Sequence, residues 1–160
     1  MHIRPAGEAE LPRLMALFDG GRDYMRRNGN TVQWVNGYPS EALLRQDVER
    51  GDLYVMEDSG AVYGVFAFIV GDDPTYQTIH GAWRDDGTPY GTLHRLGSDG
   101  TRRGVLAEAV DWALTRLPHL RADTHEANVT MQRCLERAGF VRCGVIHVAD
   151  GTPRLAYERI

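Results

Sequence analysis

The chain of 160 residues contains no lysine: all 18 of its basic residues are arginine. That absence excludes a Schiff-base lysine and a Walker-type phosphate lysine. Cysteine is also scarce. Cys134 and Cys143 are too few for a disulfide framework or a Cys-based metal site. The His and Asp residues show no paired ligand spacing, so no metal site is expected. No apolar run reaches membrane-spanning length, and the N-terminal stretch lacks the apolar core of a signal peptide. The expectation is a reduced, cytoplasmic protein with no membrane partner. A formal charge of −4 argues against bulk nucleic-acid binding, although Arg102 and Arg103 would still form a local basic patch.

What is present describes a globular chain. Hydrophobic residues make up 42% and charged residues 25%, and the length suits a single domain spanning 1–160 with its own core. His2 to Arg4 read as a first strand. From Glu8 to Arg27, Leu11, Leu14, Met15 and Phe18 keep helical spacing, with Gly20-Gly21 expected to break or kink the segment. A second helix starts at Pro39-Ser40-Glu41 and runs to about Arg50. Leu53 to Met56 and Ala61 to Val70 form a hairpin around Asp58-Ser59-Gly60. Gly71 to Pro89 is a long connection, with room for a short strand around Tyr76 to His80.

The second half alternates strand and helix. Tyr90 to Leu96 is a strand, Val105 to Leu117 a helix, Leu120 to Asp123 a strand, and Asn128 to Ala138 a helix stopped by Gly139. Phe140 to Val148 and Arg154 to Ile160 are strands joined through Asp150-Gly151. The helix from Val105 puts Leu106, Ala109, Val110, Ala113 and Leu117 on one face, which should lie on a sheet. The order implies an α+β fold around a twisted, mixed, mostly antiparallel sheet with flanking helices. Between Tyr90 and Val105, a strand feeds a turn with Gly100, Thr101, Arg102, Arg103 and Gly104 into a helix N-terminus. Free main-chain N–H groups and the helix dipole there favour a phosphate. The alternative reading of the two arginines is a pair of solvated charges.

These elements and residues together resemble the GNAT family of acyl-CoA-dependent N-acetyltransferases over nearly the whole chain. The likeness rests on Leu93-His94-Arg95-Leu96, on Thr101-Arg102-Arg103-Gly104-Val105, and on Leu135-Glu136-Arg137-Ala138-Gly139-Phe140 behind Asn128. Asn28-Gly29-Asn30, Gly37-Tyr38-Pro39, Asp123-Thr124-His125 and Asp150-Gly151 fit a branch of that family with no assigned substrate. The chain departs from the family pattern at two places. Thr101 fills the first slot of the phosphate loop, and Leu106 fills the last, where the family has Gly or Ala. Leu135 stands where many members carry the tyrosine that protonates the departing thiolate.

The resemblance implies the family's acyl-CoA N-acyltransferase fold, with a splayed pair of parallel strands, here Leu93–Gly97 and Leu120–Asp123, gripping acetyl-CoA. Pantetheine amides would pair with the exposed strand edge. Leu96 and Gly97 belong to that grip. Thr101, Arg102, Arg103, Gly104 and Val105 would receive the diphosphate. Asn128 would contact pantetheine in addition to capping its helix. The implied activity is transfer of acetyl from acetyl-CoA to a small-molecule primary amine by direct attack. Two alternatives stay open: a degenerate acyl-CoA-binding module, and a protein N-terminal acyltransferase.

Three residues are candidates for proton transfer. His94 is of the residue type whose ordinary pKa suits a general base, and it lies on the strand leading to the phosphate turn, unless alternation buries it or turns it to solvent. His125, flanked by Asp123 and Glu126, would stay charged more easily and act as an acid, or simply bond the backbone of its turn. Tyr157 would supply a replacement phenol, or serve as a core aromatic. Trp34, Tyr38, Tyr76 and Trp83 lie in irregular segments and would line the amine pocket, or fill a satellite core under long loops. The protein is expected to be a monomer or a homodimer.

Overall fold

The computed structural model describes residues 2–31, 33–35 and 37–160. They form two compact units, Met1–Phe68 with Arg95–Val105, and Ile69–His94 with Leu106–Ile160. Among the described residues, no helix is long and apolar enough to cross a membrane.

In the first unit, β1 (His2–Pro5) pairs antiparallel with β2 (Leu53–Asp58), and β2 pairs antiparallel with β3 (Ala61–Val70). Helix α1 (Leu11–Arg27) turns Leu11, Leu14, Leu17 and Phe18 inward, a spacing of three, three and one that keeps one face of an amphipathic helix buried. These side chains pack with Leu44, Leu53, Val55, Val65 and Ala67. Helix α2 (Glu41–Arg50) starts where the Ser40 hydroxyl accepts from the Leu43 N–H at 3.1 Å, and stops at Gly51 with φ +74°. Left-handed backbone at a helix end is where glycine avoids a Cβ clash.

The Gly20-Gly21 pair does not break α1, contrary to the sequence expectation. The helix runs on because Gly21 has a packing role: a Cβ there would come within 3.1 Å of the Trp34 ring. Trp34, at φ +55°, lays its ring edge-on to Phe18 with centroids 5.4 Å apart. The tryptophan roof over α1 therefore depends on the missing side chain at position 21.

The second unit holds a sheet in the order β5-β6-β8-β7-β4. Its strands are β4 (His80–Gly81), the first half of β5 (Gly91–Ser98), β6 (Leu120–Thr124), β7 (Val141–His147) and β8 (Pro153–Arg159). The expected short strand near Tyr76 is instead a 3₁₀ turn, Pro74–Tyr76, with β4 following. Pairing is antiparallel except between β5 and β6, whose parallel ladder covers only Gly91↔Leu120 and Thr92↔Arg121. Helix α3 (Val105–Leu114) makes the crossover that a parallel pair requires. Helix α4 (Val129–Arg137) follows β6 and buries Leu135. A second core gathers Tyr76, Trp83, Tyr90, Ile146 and Ala156.

Two glycines give opposite expectations for the same change. A Cβ at Gly20 meets nothing within 4 Å, so Gly20→Ala should stabilise the helix by about 1 kcal/mol through helix propensity. A Cβ at Gly97 would meet the Phe18 ring and Val65 at 3.2 Å, so Gly97→Ala should destabilise by about 1–3 kcal/mol through overpacking. Urea unfolding of the two variants checks both signs.

Candidate active site

In the second unit, β5 and β6 separate after Thr92, so the edges of Leu93–His94 and Ala122–Thr124 are not laddered to one another. His94 and Asp123 stand where the strands part. His94 Nε2 lies 2.9 Å from Asp73 Oδ2, and its Nδ1 lies 3.9 Å from Asp123 Oδ2. Asp123 Oδ2 accepts from the Tyr76 hydroxyl at 2.7 Å. The three titratable side chains keep 19% (His94), 18% (Asp73) and 10% (Asp123) of their surface exposed, so a small molecule can reach them.

Asp73 is fixed on every side. Its Oδ1 accepts from the Thr75 N–H at 2.9 Å and from the Thr75 hydroxyl at 2.7 Å, which caps the 3₁₀ turn. Its own N–H donates to the Tyr90 hydroxyl at 2.8 Å. Burial would push this carboxyl up, but the bonds from His94 and Thr75 outweigh it and hold it at about 2. The Tyr76 phenol moves the other way, raised by its burial and by the Asp123 carboxylate.

The remaining candidates fall into place unevenly. Tyr76 and Trp83 are buried, not open to a ligand. The Trp83 indole N–H donates to the Tyr76 carbonyl at 3.0 Å. Trp83 and Tyr90 sandwich the Arg121 guanidinium at 3.9 and 4.0 Å. Arg121 Nε in turn donates to buried Glu158 at 3.2 Å, and His119 Nε2 lies 2.8 Å from the same carboxylate. A carboxylate out of water needs such partners, and losing one costs about 3–5 kcal/mol. Trp83 is thus a wall of an ionic core, and the satellite-core reading replaces the pocket-lining one for this pair.

His125 also differs from expectation. Its Nδ1 accepts from the Ala127 N–H at 2.9 Å, which places the ring proton on Nε2. Burial and the nearby Arg154 charge lower its pKa, outweighing Glu126, so the neutral form is favoured. Tyr157 is buried, and its pKa is raised by burial and then by Glu136. It pairs with Ala122, whereas Asp123 pairs with Ala156. Strand alternation therefore puts Tyr157 on the face opposite Asp123, and the structure does not bring it to His94. Asn128 caps α4, accepting from the Met131 N–H at 3.1 Å. Thr92 and Thr124 carry buried hydroxyls with no hydrogen-bond partner among the described residues.

In the first unit, the segment after His94 turns sharply. Arg95 has φ +52°, and its guanidinium meets Asp47 through two bonds, at 2.9 and 3.0 Å. Its Nη1 also donates to the Tyr38 hydroxyl at 3.3 Å, so Tyr38, itself exposed, is held by its tip. Leu96 is half-buried. Gly97 makes room for Phe18 and Val65. Asp99 Oδ1 accepts from the N–H and hydroxyl of Thr101 at 2.9 and 2.6 Å, which shapes the phosphate-type turn. Gly100 and Gly104 both sit at φ +78°. Arg102 is engaged with Asp58 and stacked 4.1 Å over Tyr63, whereas Arg103 is exposed. Val105 is buried at the start of α3, whose first N–H groups have no acceptor within the helix. Trp34 borders a cleft of about 330 Å³, lined also by Arg22, Arg26, Asn30 and Gln33.

Sequence reading missed Asp73 and Asp123 as partners of His94, and Asp47 as the partner of Arg95. Asp73-Pro74 signals turn initiation, which was visible; the reach of Asp73 back to position 94 was not.

No protein-family model matches the chain, and no curated protein does. Solved structures do. A GNAT-family acetyltransferase from Streptococcus agalactiae 2603 is 33% identical, covering 99% of this chain and 94% of that one, at a TM-score of 0.87. A ribosomal-protein-alanine N-acetyltransferase from Brucella melitensis is 20% identical over 100% and 99%, at 0.64. AAC(6')-Ib, in complex with ribostamycin and coenzyme A, is 21% identical over 98% and 91%, at 0.66. The last two likenesses speak for the fold alone. The first shows that the chain belongs to the GNAT family of acetyltransferases and has its fold.

Asp73 gives the site a signature in acid. Its folded pKa, about 2, lies below the ordinary carboxylate value of about 3.9, so its ionised form favours the folded state above that value. The contribution is lost as pH falls from about 4 through about 2. The stability gap between the unaltered protein and Asp73→Asn should shrink as pH falls below about 4. Urea titrations across that range measure it, and a gap that does not change with pH would contradict the assignment.

Proposed function

We propose that this protein transfers acetyl from acetyl-CoA to the primary amine of a small molecule, by direct attack, with His94 as the base. The observation that carries the reading is the parting of β5 from β6 after Thr92, with a reachable His94 at the opening. Unladdered strand edges offer main-chain groups to the pantetheine amides, as an added strand would. The turn 98–104 suits a diphosphate: Gly100 and Gly104 carry no Cβ, Arg103 is exposed, and α3 begins just beyond. Thr101, Arg102, Val105, Leu96 and Gly97 support this segment, and Asn128 presents α4 at the end of β6.

Chemically, the amine nitrogen forms a bond to the thioester carbon, the carbon–sulfur bond breaks, and the coenzyme leaves as thiolate. One proton must leave the amine, and the His94 ring is placed to take it. The thiolate takes its proton from water, since Tyr157 faces away from Asp123 and His125 favours its neutral form. The likeness to AAC(6')-Ib, described with ribostamycin, favours a small-molecule acceptor. The setting we propose is cytoplasmic, where acetyl-CoA is made and used. A second reading, acetylation of a protein N-terminus, draws on the likeness to the Brucella enzyme. Trp83 is buried and so offers no surface to a peptide.

Thiol release from acetyl-CoA, measured against a panel of small amines and N-terminal peptides, separates the two readings. Turnover with an amine is expected, and His94→Ala should lower kcat about 10²–10⁴-fold while leaving coenzyme A affinity unchanged. Coenzyme binding by calorimetry without thiol release from any acceptor would favour a binding module instead.

A further inference from the structure

We propose that Asp73 is a positioning residue that fixes the tautomer of His94, keeping the proton on Nε2 and turning Nδ1 into the working base. The inference rests on the base role assigned to His94 above. It is carried by geometry. Asp73 Oδ2 is 2.9 Å from His94 Nε2, a hydrogen-bond distance, and an ionised carboxylate can only accept. The ring therefore donates from Nε2, and in its neutral form Nδ1 holds the lone pair. No other orientation of the carboxylate is easy: Oδ1 is committed to the N–H and hydroxyl of Thr75, and the residue's own N–H is bound to Tyr90.

Nδ1 in turn has no close acceptor competing for a proton. The nearest carboxylate oxygen, Asp123 Oδ2, is 3.9 Å away, beyond hydrogen-bond range, and already receives the Tyr76 hydroxyl. At that distance Asp123 does not bind the neutral ring, but it favours the imidazolium formed when Nδ1 takes a proton. In the step, the amine N–H proton passes to Nδ1 as the carbon–nitrogen bond forms. The imidazolium is then bracketed by Asp73 and Asp123, the carbon–sulfur bond breaks, and the ring returns its proton to water.

Asp73→Asn tests this, because the amide reverses one bond and keeps the shape. Its oxygen can still accept from Thr75, and its NH₂ then faces His94 Nε2 and demands a lone pair there. The tautomer switches to Nδ1–H and the base is blocked. The same logic holds in the serine-protease triad, where an Asp→Asn change preserves geometry and traps the wrong tautomer.

Nitrogen-15 NMR of histidine-labelled protein reads the tautomer directly, and His94→Gln assigns the signal among the six histidines. We expect Nε2–H in the unaltered protein and Nδ1–H in Asp73→Asn. We also expect kcat to be at least about 100-fold lower in Asp73→Asn, with the KM for acetyl-CoA unchanged within about twofold. Nδ1–H in the unaltered protein would overturn the proposal, as would near-normal kcat in Asp73→Asn when His94→Ala is inactive. Full turnover by His94→Ala would instead remove the base role, whatever the tautomer. Should Asp73→Asn not fold, the tautomer of the unaltered protein decides alone.

Discussion

The carboxylate of Asp73 ties two levels of the second unit together. One oxygen closes the turn Pro74–Tyr76, and the other holds the imidazole of His94, 21 residues further on. A long connection rich in glycine, aspartate and proline would otherwise be expected to wander. Here it is pinned at Asp73, at the Tyr90 hydroxyl and at the Trp83 indole. The same contacts that order the loop orient the ring. The economy has a chemical reason: a half-buried carboxylate must find donors, and Thr75 and His94 supply them on its two oxygens.

The residue after His94 obeys a second constraint. Arg95 adopts a left-handed φ, which costs a non-glycine residue about 1 kcal/mol or more. The forked bond to Asp47, nearly sealed from water, offsets that cost and would be lost with ordinary strand alternation. Two neighbouring residues thus serve separate units: His94 joins the Asp73, Tyr76 and Asp123 cluster of one, and Arg95 anchors the core of the other. Glu158 follows the same rule, drawing His119 and Arg121 from one stretch of chain and the Arg84 N–H from another. In each case a buried charge is tolerated because its partners were brought to it by the strands around it.

This pattern explains what could be read from the chain and what could not. Periodicity exposed α1, α4 and the β2–β3 hairpin, because solvent and core sort side chains on a fixed repeat. The strand, glycine turn and helix from Gly91 to Leu114 were also plain, since backbone geometry there demands particular residues. Gly20-Gly21 misled, because glycine signals both a break and a close approach, and only the position of Trp34 decides between them. Trp83 misled in a similar way: an aromatic in a loop lines a pocket or stacks on an arginine, and Arg121 lies 38 residues away. Asp73 with His94, and Asp47 with Arg95, are pairings across distance, and a single sequence carries no local signal for them.

The loss of the usual phenol in α4, where Leu135 is buried, looks at first like the loss of catalysis. Magnitudes argue otherwise. A primary ammonium has a pKa near that of lysine, about 10.4, so at pH 7 only about one in 2,500 molecules is a free nucleophile. Recovering that fraction is worth about 4.6 kcal/mol. A thiol of pKa about 8.5 lies only about 1.5 units above neutrality, so its thiolate departs with far less help and can take a proton from water. The demanding proton is the one leaving nitrogen. On the role proposed for His94, a site that holds it between two carboxylates while packing leucine at position 135 keeps the larger of the two contributions.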